Sequence, residues 1–169
     1  MSPADDTRYT IRPFFESEVM LYKAMRLEAL QMEAAVFGST YEREVAFNEH
    51  QWMERITNKG AGCFGLFCND ELVGITGLHI DGDDHSLAHM TQSYIRKAHR
   101  RKHLSRMLYD IRIRWANDHH LKTLRIGHKE SNIISKAANQ RYGFTYAYRE
   151  PRIWPDGSKE DILYYELAL

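Results

Sequence analysis

The sequence predicts an α/β (α+β) fold in a single domain spanning 1–169, built on a mixed, mostly antiparallel central sheet with helices on both faces. Three observations carry that expectation. The stretch "GCFGLFCNDELVGITGLHIDGDDHSLAHMTQSYI" strings β-rich runs together through the turn dipeptides Asn69-Asp70 and Asp81-Gly82, as successive antiparallel hairpins do. Its last run leads into an amphipathic helical pattern and then another strand, and a right-handed crossover makes those two strands parallel neighbours. Finally, 169 residues at 43% hydrophobic composition are the size of one domain with a real core.

Each element follows from its local pattern. "RYTIRPF" alternates polar and apolar residues and reads as an opening strand. From about Glu16 to Met32, Val19, Leu21, Met25, Leu27 and Leu30 supply a helical repeat. Phe37-Gly38-Ser39-Thr40 is loop-like, and "NEHQWMERI" is a short helix with Asn48 at its N-cap. Three strands follow, the third from about Ser86 to Ile95. Leu104, Met107, Leu108, Ile111, Trp115 and Ala116 then recur at the three-and-four spacing of one helix face. "LKTLRIGH" is the next strand, and "SNIISKAANQRYGF" a helix that ends at Gly143. "TYAYREPRIW" and "EDILYYELAL", parted by Pro155-Asp156-Gly157, close the chain as an antiparallel hairpin.

Composition excludes several function classes. The 23 basic and 23 acidic side chains cancel, so no global field draws the chain to nucleic acid or to an anionic membrane. No window approaches the roughly 18 apolar residues of a membrane span, and "MSPADDTRYT" lacks the order of a secretory signal, so a cytoplasmic protein is expected. Cys63 and Cys68 lie five apart in one strand and project to opposite faces, which suits neither a disulfide nor a metal pair. The nine histidines show no zinc-helix spacing, and no metal is expected. The apolar "ILYYELAL" suits either a homodimer edge or an interior strand.

One local charge cluster stands out. Arg100, Arg101, Lys102 and Arg106, with His99 and His103, crowd the entrance of the Leu104 helix, where unpaired backbone N–H groups are already positive. In α/β sheets, ligands collect where a strand's carboxyl end delivers the chain into a helix. A polyphosphate there would offset the dipole and pair with the cations.

"SYIRKAHRRKHLSRMLY" followed by "SNIISKAANQRYGF" resembles the GCN5-related N-acetyltransferase (GNAT) family. That family's pattern is a strand ending in an aromatic-aliphatic pair, a turn, then Arg or Gln, two residues, Gly, one residue, and Gly or Ala opening a helix. Tyr94-Ile95 match the strand end, and Arg100, Arg101, Lys102, His103, Leu104 and Ser105 match the turn, with Arg106 next. Asn132 matches the Asn that closes the following strand, and Gly143-Phe144 the end of the next helix. The resemblance implies a GNAT-like sheet with a central β-α-β core that binds acetyl-CoA. Ser93, Tyr94 and Ile95 would pair with the pantetheine arm as an added strand, and Asn132, with Ser135 beyond it, would anchor the amides. Two departures matter: His103 and Ser105 replace the turn's glycines, and Asn139 stands where many members carry a Tyr, with Tyr142 three residues on.

The implied chemistry is direct attack of a primary amine on the thioester through a tetrahedral intermediate, with a strand N–H near Tyr94 or Ile95 holding the oxyanion. His128 and His89 are the candidate bases, Tyr142 the candidate acid, and Asn139 a hydrogen-bond donor to the departing sulfur. Phe37 to Tyr41 and Tyr148 to Trp154 are the expected walls of the acceptor site, where Glu42, Glu150 or Asp161 would attract an ammonium group. The acceptor itself stays open. A catalytically weak acyl-CoA sensor is the alternative, suggested by His103 and Asn139; nucleic-acid binding is disfavoured by zero net charge.

Overall fold

The computed structural model describes residues 8–169. Its strands are β1 (Tyr9–Pro13), β2 (Ala61–Cys68), β3 (Glu71–Ile80), β4 (Leu87–Ile95), β5 (Thr123–Lys129), β6 (Thr145–Glu150) and β7 (Ile162–Ala168). Its helices are α1 (Val19–Met32), α2 (Tyr41–Val45), α3 (Glu49–Thr57), α4 (Ser105–Asp118) and α5 (Ile133–Arg141). They form one seven-stranded sheet in the order β1-β2-β3-β4-β5-β7-β6. Every pairing is antiparallel except β4 with β5, which α4 connects by crossover.

Strand alternation assigns the two faces. On one, Cys63 and Phe67 of β2, Ile75 of β3 and Tyr94 of β4 pack with Tyr22, Met25 and Ala29 of α1 and Trp52 of α3. On the other, Phe64, Leu78, Ala88, Met90 and Leu124 meet Tyr109 and Ala116 of α4, with Phe144, Leu163 and Tyr165 beyond. Each fully buried large apolar side chain contributes about 1.5–3 kcal/mol, so both helix layers are needed to cover the sheet. Cys63 and Cys68 are both free and pack into different clusters, on opposite faces.

Local chemistry sets the helix ends. Asn48 caps α3 reciprocally with Gln51: its side chain accepts from the Gln51 N–H, and the Gln51 side chain accepts from the Asn48 N–H. Thr40 accepts from the Arg43 N–H at 3.1 Å and starts α2, a five-residue helix absent from the sequence reading. The helix α5 closes at Gly143, whose φ of +88° needs a residue without Cβ.

Two features of β4 position the site. It pairs with β5 over three rungs only, Leu87 with Thr123, Ala88 with Leu124 and His89 with Arg125, while β5 goes on to pair with β7 along its whole length. Past His89 the parallel neighbours part, and the β5-facing edge of β4 is left without a ladder. The register between β3 and β4 also slips between Ile75 and Gly77, with Gln92 held at a φ of +63°. That bulge, with a non-glycine residue in the left-handed region, sits in the widening gap.

Candidate active site

A cavity of about 410 Å³ occupies the gap. Met90, Thr91, Gln92 and Ser93 of β4 form one wall, and Arg125, Ile126 and Gly127 of β5 the other. Ser135 of α5 and Arg112 of α4 line it as well, and its rim is made by Phe37 and Gly38 after α1 and by Arg152 and Trp154 between β6 and β7. Both loops expected as acceptor walls therefore meet here. A second cavity, of about 450 Å³, shares Arg26, His79, Thr91 and Gln92 with the first and runs back beneath α2 and α3.

The basic turn stands at the end of β4. After a 3-10 turn over Lys97–His99, Arg101 and His103 both adopt φ of +60°. Among the described residues, the backbone N–H groups of Arg101, Lys102, His103, Leu104 and Ser105 have no protein acceptor, and α4 has no side-chain cap. Consecutive free donors at a helix N-terminus make an anion cradle. His103 thus occupies a left-handed position, which is why a glycine suits that place.

The turn's side chains divide into two groups. Arg100 donates to the Ile95 carbonyl at 2.6 Å and to Glu33 at 2.8 Å, with its guanidinium against the Tyr94 ring; it fastens the turn to β4 and α1. Lys102 lies over the Tyr9 ring, and Tyr9 meets His99 Nδ1 at 2.8 Å. Arg101 and His103 project into solvent, and the exposed Arg106 has only a 3.8 Å contact with Asp110. Among the described residues, Arg101, Lys102 and Arg106 have no close carboxylate, with Lys102 donating to the Tyr9 hydroxyl at 3.5 Å.

The strand residues expected at the pantetheine arm take separate places. Ser93 lines the gap and its hydroxyl meets Thr76 at 2.9 Å. Tyr94 turns to the other face, donating to Glu28, and Ile95 gives its carbonyl to Arg100. Asn132 caps α5 by accepting from the Ser135 N–H at 3.1 Å, which leaves its amide NH₂ to donate elsewhere.

The catalytic candidates separate. His89 lines the cavity, with Nε2 2.6 Å from Asp81, and stacks on His79 at 5.2 Å between ring centroids. His79, which sequence reasoning missed, lines both cavities. Partial desolvation, together with the neighbouring His89, lowers its pKa below the ordinary histidine value. Two backbone N–H groups and His89 hold the Asp81 carboxyl well below the usual range. His128 does not line the cavity: it is 6% exposed, stacks on Tyr165 and places Nδ1 2.7 Å from the Lys129 carbonyl. It shares its phase of β5 with Leu124 and Ile126.

Asn139 and Tyr142 also lie off the cavity. Asn139 is fully buried and accepts from the Tyr109 hydroxyl at 2.5 Å, while its Nδ2 has no partner. The Tyr142 ring stacks on Tyr109 at 4.0 Å, and burial raises its phenol pKa. The phenol that does line the cavity is Tyr164, stacked on Tyr148 at 4.6 Å and held above the usual tyrosine pKa by burial.

Arg112 is the other residue that sequence reasoning passed over. It is 1% exposed and donates through Nε to the Leu108 carbonyl; its Nη1 has no partner. Burial pushes its guanidinium pKa down to about 10. It occupies the buried stripe of α4 between Leu108 and Ala116, so an apolar pattern search skips it.

Among the described residues, no helix is long and apolar enough to cross a membrane, and no group of three or more His, Cys, Asp or Glu is placed to hold a metal ion. No curated protein matches the chain in sequence. Solved structures share its fold at low identity. A GNAT-family acetyltransferase from Streptococcus pneumoniae is 14% identical with a TM-score of 0.78, covering 95% of this chain and 99% of its own. A ribosomal-protein-alanine N-acetyltransferase from Brucella melitensis is 18% identical at 0.77, with the same coverage. A ribosomal L7/L12 α-N-protein acetyltransferase in complex with coenzyme A is 14% identical at 0.76, covering 96% and 95%. The sequence profile of the acetyltransferase (GNAT) family matches residues 24–144. A match over that much of the chain places the protein in the acetyltransferase (GNAT) family, as an acyl-CoA-dependent N-acetyltransferase.

Proposed function

We propose that this protein transfers the acetyl group of acetyl-CoA to the primary amine of an acceptor held between the loop after α1 and the β6–β7 connection. The observation that carries the reading is the parting of β4 from β5 after three rungs, directly beside a turn with five consecutive free N–H groups. A diphosphate suits that turn, with Arg101, Lys102 and Arg106 as mobile counter-charges. A pantetheine arm suits the unladdered edge of β4 at Ser93, Tyr94 and Ile95, in the manner of an added strand. The Asn132 amide, the Ser135 hydroxyl and the orphaned Arg112 Nη1 are the donors available to its carbonyls.

Acetyl-CoA supplies an activated acyl thioester; the chain supplies position and proton handling. The bulge at Gln92 lies beside the gap, where a strand N–H would serve a carbonyl oxygen becoming an oxyanion. His79 is the base we assign: it lines both cavities, and its lowered pKa keeps it unprotonated at neutral pH, ready to take a proton from an ammonium. His89, bound to Asp81, holds the stacked His79 ring in place. As the C–N bond forms and the C–S bond breaks, Tyr164 is the cavity phenol able to donate to the departing sulfur.

The test is calorimetric titration of acetyl-CoA, followed by thiol release over an amine panel. Saturable binding with thiol release that depends on the amine is the expected result. Binding without turnover on any amine would leave the sensor reading, and no binding at all would end the proposal.

A further inference from the structure

We infer that the acceptor amine carries its own oxyanion, a carboxylate or a phosphonate, and that Arg152 with Arg26 selects it. The inference rests on the acyl-transfer reading above. It starts from the lining of the gap cavity, which contains four arginines, Arg26, Arg112, Arg125 and Arg152, and no aspartate or glutamate. Glu42, Glu150 and Asp161, the acids expected to draw an ammonium group, do not line it. Asp161 is taken by Arg149 at 2.6 Å, and Glu42 lines a separate cavity with Tyr41 and Pro155.

The four cations are not equally available. Arg125 is neutralised by Glu166, through two donors at 2.9 and 3.0 Å. Arg112 lies deep on α4, on the donor side of the gap. Arg26 gives Nε and Nη2 to Glu44, but its Nη1 is buried without a partner in a residue only 6% exposed. Arg152 has no carboxylate partner among the described residues; its guanidinium lies over Trp154, 5.2 Å from the ring centroid, and its Nη1 reaches Gly38 on the opposite wall. The cavity therefore carries one unneutralised guanidinium at its rim and, deeper in its lining, Arg26 with one N–H that has no acceptor.

Charge decides between acceptor classes. A polyamine, or any acceptor with a second cation, would meet like charge in a partly desolvated cavity whose own lining holds no carboxylate; Glu44 and Glu54 line only the adjoining cavity, and Glu44 is already bonded to Arg26 and Arg55. An amino acid or aminophosphonate would place its oxyanion against Arg152 and the free Arg26 N–H. A charge-assisted hydrogen bond to guanidinium fits that geometry. The same cations lower the acceptor ammonium's pKa, which eases the proton transfer that attack requires.

The experiment uses the full chain and matched acceptors: L-amino acids against their α-amides, 2-aminoethylphosphonate against ethanolamine, and spermidine, each with saturating acetyl-CoA. The acetyl-CoA affinity is measured separately by calorimetry. The expected result is a kcat/KM about tenfold or more higher for the anionic member of at least one pair, expressed mainly in KM. The Arg152→Gln and Arg152→Glu variants, at an exposed loop position, should shrink that ratio toward one or invert it while leaving the acetyl-CoA Kd unchanged. Preference for carboxylate over phosphonate would identify amino acids as the source of the oxyanion. Equal or better turnover of the amides, ethanolamine or spermidine, or a ratio untouched by either variant, would overturn the inference and leave acetyl transfer standing. Loss of acetyl-CoA binding by the wild-type chain would instead overturn the reading beneath it.

Discussion

His103 shows how much of the site was written in single residues. The spacing from Arg100 to Ser105 marks a turn whose backbone is left-handed at both Arg101 and His103. Holding such a residue without glycine costs on the order of 1 kcal/mol. The base was less legible. The sequence puts His89, on the strand before the turn, and His128, at the end of the following strand, near one cleft; in the structure His89 lines the cavity and His128 does not. His79 stands out only when β3 and β4 bring it opposite His89. The base role proposed for it predicts a pH profile. Because its folded pKa is lowered from 6.5, the base form persists to more acidic pH, and the acid limb of kcat/KM should fall below pH 6.5. The same shift makes the unfolded chain bind the proton first, so its contribution to stability is lost as pH drops through 6.5. In His79→Gln the limb should vanish and kcat fall about a hundredfold, the lower end of general-base effects. A pH–rate series in which the variant keeps both the limb and the rate would remove His79 from the mechanism.

At the scale of elements, long periodic segments were readable and short or charge-built ones were not. The helix α1 and the three hairpin strands follow from apolar spacing, whereas α2 has five residues and one buried side chain, a glutamate. Glu44 is fully buried and held by Arg26 at 2.8 and 2.9 Å and by Arg55 at 2.7 Å. No hydrophobic pattern reports an element whose packing is ionic. Burial alone would raise the Glu44 pKa, but the bonds and charges of Arg26, then Ser39 and Arg55, reverse the sign and lower it. Its stabilisation is therefore present above the unfolded value of 4.5 and lost as pH falls below it. Glu44→Gln leaves two guanidinium groups facing a neutral amide and should cost about 3 kcal/mol in urea unfolding at pH 7. A loss under about 1 kcal/mol would mean that α2 is held by its apolar neighbours instead. Arg112 belongs to the same class of hidden feature, a cation in a stripe that reads as core.

For the whole molecule, the parallel relation of β4 and β5 could be deduced from the crossover, but their parting could not. It depends on β5 pairing fully with β7, seven rungs against three, so that the sheet is two plates, β1–β4 and β5–β7, joined at one end. Among the described residues, the core clusters bridge the plates on the α4 face, through residues such as Ala88, Leu124 and Tyr165 around Tyr109 and Ala116. An extended ligand lying along β4 would restore the missing ladder and tie the plates at their open end. That arrangement makes an ordered prediction for hydrogen exchange. On adding acetyl-CoA, amides of residues 90–95 and 101–105 should gain protection, because both segments carry groups without protein partners in the free chain. The β6–β7 ladder, already complete, should change little. At about 100 times Kd the ligand adds about 2.7 kcal/mol, which for a chain of this size raises Tm by roughly 5–10 °C. Protection confined to the β6–β7 connection, with 90–95 and 101–105 unaltered, would place the donor outside the gap and separate the anion turn from acetyl transfer.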